Sequence, residues 1–171
     1  MELQTYLDHV NQGKRLEGGS EVHAFMTQAA RQAQQITAES NTGYHDGEEL
    51  RALFSHLIGT PVAEGFGLFP PFTTDVGKNI TLGKRVFINS GCRFQAQGGI
   101  TIGADVLLGH NVVLATLHPD PVAACRASML PAPTAIGDKA WTGATATPLP
   151  GATTGQGVTV AARASVHQAV P

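Results

Sequence analysis

Seven histidines and two cysteines are the side chains of this chain best suited to proton transfer, nucleophilic attack or metal binding. His9, His23, His45 and His56 all precede residue 60, and none has a partner at metal-ligand spacing. They read as surface or packing residues. Cys92 and Cys125 form no CxxC motif; Cys92 falls on an inward position of a repeat and Cys125 in a loop. That usage suits a reduced, cytoplasmic protein. His110 reads as an outward, exposed or interface residue, and His167 carries no assignment. His118 differs by its place: it stands before Pro119 where regular sequence gives way to a long interruption. It puts a titratable imidazole at the base of that loop.

The regular sequence is a six-residue rhythm from Val76 to Pro171. Twelve hexads begin at residues 76, 82, 88, 94, 102, 108, 136, 142, 148, 154, 160 and 166, and nine of them open with an aliphatic or aromatic residue. The fifth position is small or β-branched almost throughout, as at Val86, Cys92, Val106 and Ala140. Two inward residues in six match neither a helix nor an alternating strand. They match short strands and turns stacked as the faces of a prism, three hexads to a coil, which is a parallel β-helix. Glycine after the opening residue, as at Gly83, Gly103 and Gly109, is expected to supply the turn's backbone freedom. Thr142, Pro148 and Thr154 open three successive hexads where aliphatics belong, so this stretch is expected to pack less well.

Two interruptions break the rhythm. Gly98-Gly99 with Ile100-Thr101 adds two residues and predicts a local bulge. Residues 120–135 leave the coil altogether, and a loop of that length inside a solenoid is usually functional. Before the hexads, residues 1–60 read as three helices. Leu3, Tyr6, Leu7 and Val10 recur at helical spacing up to Gly13. Ser20 precedes a second helical segment that ends near Asn41, and Asp46 caps a third that ends at Gly59. These helices are too short to bury much alone and are expected to pack on the β-helix or a neighbouring subunit. The chain thus divides into a helical segment, 1–60, and a β-helix domain, 61–171. In the bridge between them, Phe66, Phe69 and Phe72 either plug the open end of the prism or wall a cleft.

Composition narrows the function. A net charge of −2 and a pI near 6.4 give no electrostatic case for nucleic acid or an anionic membrane. Only 14% of residues are charged, against roughly a quarter in ordinary domains, while 20 Gly and 10 Pro suit a turn-rich β fold. No apolar run reaches membrane-spanning length, and the opening MELQTYLDHV shows no secretory signal.

The stretch NITLGKRVFINSGCRFQAQGGITIGADVLLGHNVVLATL, with PPFTTDVGKNI before it and IGDKAWTGATATPLPG after it, resembles the hexapeptide-repeat sugar O-acetyltransferases, the maltose and galactoside acetyltransferase group. The likeness covers roughly residues 60–171. It implies a left-handed β-helix that assembles as a homotrimer, with acetyl-CoA and a hydroxylated acceptor meeting in clefts between subunits and no metal. It further implies that a histidine at the loop base, here His118, deprotonates the acceptor hydroxyl for direct attack on the thioester. Relatives with the LATL spelling carry Asn and then His where this chain has His118 and Pro119.

By the same resemblance Asn89 orients the acceptor, Asp75 contacts it, and Met129 is a loop residue near the cleft. Gln97 stands where related enzymes often have an acidic acceptor contact. Trp141 matches the residue that flanks coenzyme A, and Gly109, Gly143, Ala144, Ala161 and Ala162 fall where the pantetheine arm lies along the coils. Relatives continue beyond the position of Pro171 into a Pro-Ala-Arg segment that helps hold the coenzyme's phosphates. Two other readings of the same hexads are a trimeric scaffold without activity and a zinc-dependent carbonic-anhydrase-like enzyme.

Overall fold

The computed structural model describes residues 1–171. Three helices lead into about five coils of left-handed parallel β-helix. The first face stacks strands Gly67–Leu68, Phe87–Ile88, Leu107–Leu108, Trp141–Thr142 and Thr159–Val160. The second stacks Thr73–Thr74, Arg93–Gln95 and Val113–Ala115, then Thr147–Pro148 and Ser165–Val166; the two sets join where Val113 N donates to Ala146 O at 3.1 Å. The third holds Ile80–Leu82, Ile100–Ile102, Thr134–Ile136, Thr153–Thr154 and Ala169–Val170.

The hexads do what their period predicts. Ile88, Phe94, Ile102, Leu108, Leu114 and Ile136 fill the prism at no more than 2% exposure, whereas Val76 is buried outside it with Tyr6, Val10 and Leu117, and Thr74 takes the place in register with Phe94. Fifth-position Val86, Cys92, Val106, Val112, Ala140, Ala146 and Ala152 are at most 1% exposed. Gly67, Phe87 and Leu107 stand in register at intervals of twenty residues, whereas Trp141 and Thr159 are eighteen apart. The two extra residues in the coil from Phe87 to Leu107 are the bulge at Gly98-Gly99, where Gly99 takes a φ of 96°.

One expectation is corrected. The second-position glycines do not supply the turns: Gly83, Gly103 and Gly109 have no positive φ. They are glycine because the next coil lies against them, and a β-carbon on Gly103 would meet Asp138 Oδ1 at 2.3 Å. The left-handed turn residue is the fourth of the hexad, with φ between 54° and 83° at Arg85, Gly91, Asp105, Asn111, Lys139, Thr145, Gly151, Gly157 and Arg163. For the six non-glycines this conformation costs roughly 1–2 kcal/mol each. A hydrogen-bond ladder up the corners holds them there: Asp105 N donates to Lys84 O, Lys139 N to Ala104 O and Gly157 N to Asp138 O, each at 2.8 Å. The polar openings face inward like the aliphatic ones. Thr142 is 0% and Thr154 5% exposed, and Pro148 is buried, because the same stacking closes the prism over them. The apolar cluster they adjoin is small, namely Ala146, Ala152, Val160 and Val166.

The helices are α1 (Leu3–Asn11), α2 (Glu21–Ser40) and α3 (Gly47–Ile58). Ser20 Oγ caps α2 by accepting from His23 N. Asp46 caps α3 through Glu48 N and Glu49 N, and Gly59 ends it at a φ of 80°. None of the helices is long and apolar enough to cross a membrane. Ala33, Leu50, Phe54, Leu57 and Ile58 share one apolar cluster with the first coils, so the helical segment completes the solenoid's core. The bridging phenylalanines divide their roles. Phe72 is 1% exposed between Phe54 and Phe94, at centroid distances of 5.3 and 4.9 Å, and Phe66 stacks on Phe54 at 4.8 Å. These two plug the prism. Phe69 stays 58% exposed and meets Phe87 edge-on at 5.1 Å.

Candidate functional site

The candidate residues gather at two different corners of the prism. In the first corner, between the first and second faces, Asn89, Gly109, Gly143-Ala144 and Ala161-Ala162 form a column across successive coils. Asn89 N donates to Leu108 O at 3.1 Å, Gly109 N to Thr142 O at 2.8 Å, and Gly143 N to Val160 O at 2.8 Å. A β-carbon on Gly109 would stand 2.7 Å from Ala144 N, and one on Gly143 would stand 2.6 Å from Ala162 N. The column therefore presents backbone with almost no side chain above it. Such a surface lets an extended ligand lie close to the main chain. Asn89 is half-buried and its Oδ1 accepts from Ser90 N at 3.2 Å, which holds the side chain against its own turn.

Beside this column, on the first face, Trp141 projects outward at 54% exposure, as its sixth-position place predicts. Leu107, 51% exposed, stands in register with it, and Phe87 in register with Leu107. An apolar stripe thus runs over three coils. Phe87 and Leu107, like Trp141, hold the sixth position of their hexads, which is the sequence signal for the whole stripe.

The second corner, between the second and third faces, holds Asp75, Gln97, His118 and Met129. Here the chain leaves the prism as an antiparallel hairpin, Leu117–Pro119 paired with Met129–Pro131, with a short 3-10 turn at Ala123–Cys125. The excursion is an ordered element that starts at Leu117, three residues before the expected loop. His118, opposite Leu130, is exposed. Met129 is half-buried against Tyr6, Val10, Leu16 and Leu117. Its backbone exchanges two bonds with Leu16, of 2.8 and 2.9 Å, so residues before α2 extend the hairpin by a bridge. The strap is reinforced by Arg15 Nη1 on Asp120 Oδ2 at 3.0 Å and by Ser128 Oγ donating to Glu17 Oε2 at 3.0 Å.

Gln97 is 6% exposed, and its Nε2 donates to Asp75 Oδ2 at 2.9 Å. The amide thus orients the carboxylate, while Gln97 Oε1 and the buried Tyr6 hydroxyl lack partners within the chain. Burial, and then the nearby Asp75 carboxylate, push the Tyr6 hydroxyl pKa upward. Asp75 opens on a polar cleft of about 420 Å³ that it shares with Gln34, Thr37, Asn41 and Thr73. The largest cleft, about 830 Å³ along α3 among Glu48, Arg51, His56 and Lys78, contains none of the candidate residues. No group of three or more His, Cys, Asp and Glu side chains of one chain is arranged to hold a metal ion.

No family model matches the chain. A Staphylococcus aureus protein described as an acetyltransferase is 34% identical over 142 residues, 81% of this chain and 71% of that protein. Nodulation protein L of Rhizobium leguminosarum is 37% identical over 108 residues, 62% of this chain and 56% of that protein. The chain spans only part of several curated relatives, with the match covering 50% of a Schizosaccharomyces pombe protein described as an acetyltransferase and 63% of nodulation protein L of Rhizobium meliloti. Among solved structures, a maltose O-acetyltransferase from Clostridium difficile aligns with a TM-score of 0.88 at 25% identity, over 97% of this chain and 88% of its own. A hexapeptide-repeat acetyltransferase from Vibrio cholerae, complexed with acetyl coenzyme A, aligns with a TM-score of 0.80 at 29% identity, over 97% and 89%.

Proposed function

We propose, because the chain belongs to the hexapeptide-repeat acetyltransferase family, that it transfers an acetyl group from acetyl-CoA to a hydroxyl of a sugar or similar small acceptor. The observation that carries this reading is the side-chain-poor column Gly109, Gly143-Ala144, Ala161-Ala162 beside the exposed Trp141. A pantetheine arm lies along that column, and Trp141 flanks the coenzyme. His118 takes the proton from the acceptor hydroxyl as the oxygen attacks the thioester carbonyl. The tetrahedral intermediate then expels the coenzyme thiolate, which recovers the proton from the imidazolium. No acyl-enzyme forms. Asn89 orients the acceptor, and Asp75, aimed by Gln97, accepts from one of its other hydroxyls.

Asn89 and His118 occupy different corners of one prism, so a single protomer keeps the two halves of this machinery apart. A homotrimer resolves that separation by setting the second corner of one copy against the first corner of the next. Replacing His118 with Ala and following thiol release from acetyl-CoA, with maltose, glucose and galactosides as acceptors, tests the assignment. Loss of turnover with coenzyme binding retained is expected; unchanged turnover would remove His118 from the mechanism.

A further inference from the structure

We infer that Gln95 is a positioning residue for His118: its side-chain carbonyl fixes the direction in which the hairpin leaves the prism. The inference rests on the reading of His118 as the base. Gln95 ends the strand Arg93–Gln95, in register with Ala115, the last residue before the excursion. Beyond Ala115 the main chain turns away from the stack, and the amides of Thr116 and Leu117 lose the coil-to-coil partners that a continuing strand would give them. Buried amides without an acceptor are disfavoured. Gln95 Oε1 accepts from both, at 3.4 Å from Thr116 N and 3.2 Å from Leu117 N.

One oxygen can serve two consecutive amides only if the backbone bends so that both point to it. That condition sets the path of the chain one residue before His118. The surrounding contacts lock the same bend. Thr116 is 0% exposed; its Oγ1 accepts from Gly98 N at 2.8 Å and donates to Gln95 O, while its carbonyl accepts from Ala132 N at 2.9 Å and so closes the hairpin. Thr134 Oγ1, from the third face, donates to Ala115 O at 2.8 Å, but Gln95 is the strand side chain that accepts from the amides of Thr116 and Leu117, so the rigid coil meets the start of the excursion through it.

The chemistry of the acceptor gives a clean test. Gln95→Leu keeps the bulk and removes the oxygen, whereas Gln95→Glu keeps an oxygen able to accept both amides. In Gln95→Leu, hydrogen exchange at Thr116 and Leu117 is expected to quicken at least tenfold, with Ala135 and Gly137 unchanged. With acetyl-CoA and the same sugars, kcat should fall roughly 10- to 100-fold from misplacement of the base, at constant KM for acetyl-CoA. Gln95→Glu should restore both readouts. Unchanged exchange in Gln95→Leu overturns the inference without any acceptor, and equal loss of kcat in both variants reduces Gln95 to a packing residue. Full turnover by His118→Ala instead overturns the parent reading, while an inactive His118→Ala beside a fully active Gln95→Leu overturns this inference alone.

Discussion

Gly109 and Ala144 touch across adjacent coils so closely that a β-carbon on Gly109 would lie 2.7 Å from the Ala144 amide nitrogen. Gly109 has no positive φ, so alanine there meets no backbone strain, only the neighbouring coil. Gly109→Ala is therefore expected to push the coils apart at about 1–3 kcal/mol, the range for overpacking. For a chain of this length that is roughly 3–10 °C in Tm. Calorimetry with coenzyme A should show weakened binding as well, because the added methyl stands beside the proposed pantetheine track. An unshifted Tm would mean that the corner has slack.

Thr142 shows the opposite defect. Its side chain is fully buried, yet Oγ1 has no hydrogen-bond partner within the chain. An orphaned hydroxyl in an apolar setting is unfavourable, and valine has nearly the same shape. Thr142→Val should gain about 1 kcal/mol in urea unfolding. Thr154 provides the control. Its Oγ1 lies 3.4 Å from Gly137 N, so Thr154→Val should gain less.

The two threonines also mark how far the sequence could be read. Inward positions were legible because the hexad period dictates them, even where Thr142 or Pro148 replaces an aliphatic residue. The left-handed fourth position was not, since Arg85, Asp105, Lys139 and Arg163 share no local preference for that conformation. Stacking imposes it through bonds such as Lys139 N to Ala104 O. The hairpin was hidden for a similar reason: Met129, in the strand paired with Leu117–Pro119, is bridged by Leu16 from the far end of the chain. Gln95 reads from the sequence as any outward strand residue. The division of site residues between corners does follow from counting hexads in threes, although the resemblance presented them as one set.

Arg15 and Asp120 tie the hairpin to the segment before α2. Their 3.0 Å contact joins a guanidinium 36% exposed to a carboxylate 8% exposed, so solvent screens it less than a surface pair. Arg15→Met is expected to loosen the hairpin, because it leaves the buried Asp120 carboxylate without its cation. Its local signature is faster proteolytic cleavage between Ala123 and Ala127, where the turn residues are largely exposed. Cleavage at the wild-type rate would show that the Leu16–Met129 bridge suffices alone.

Cys92 links packing to pH. Burial pushes its thiol up to about 11 from an ordinary value of 9.0, while Sγ donates to Gly109 O at 3.2 Å. Between those values the unfolded chain releases a proton that the folded chain keeps. Stability must therefore fall as pH rises from about 9, by at most about 1.4 kcal/mol per pH unit, and be unaffected by this group below that. Cys92→Val should flatten that part of the stability profile. At pH 8 an aromatic disulfide reagent should label the half-buried Cys125 first and reach Cys92 only on unfolding.

The separation of Asn89 from His118 makes a prediction about mixtures. If each site takes its first corner from one copy and its second from another, a chain lacking Asn89 still offers an intact His118, and the reverse. Asn89→Ala and His118→Ala, each inactive alone, should regain activity when unfolded together and refolded. In randomly assembled trimers about a quarter of the sites would combine two intact corners, so roughly a quarter of wild-type turnover is expected. A site contained within one protomer gives a different outcome: every site then carries one defect or the other, and the mixture stays inactive. Co-refolding followed by thiol-release kinetics, with size-exclusion and light scattering to establish the assembly, separates these outcomes.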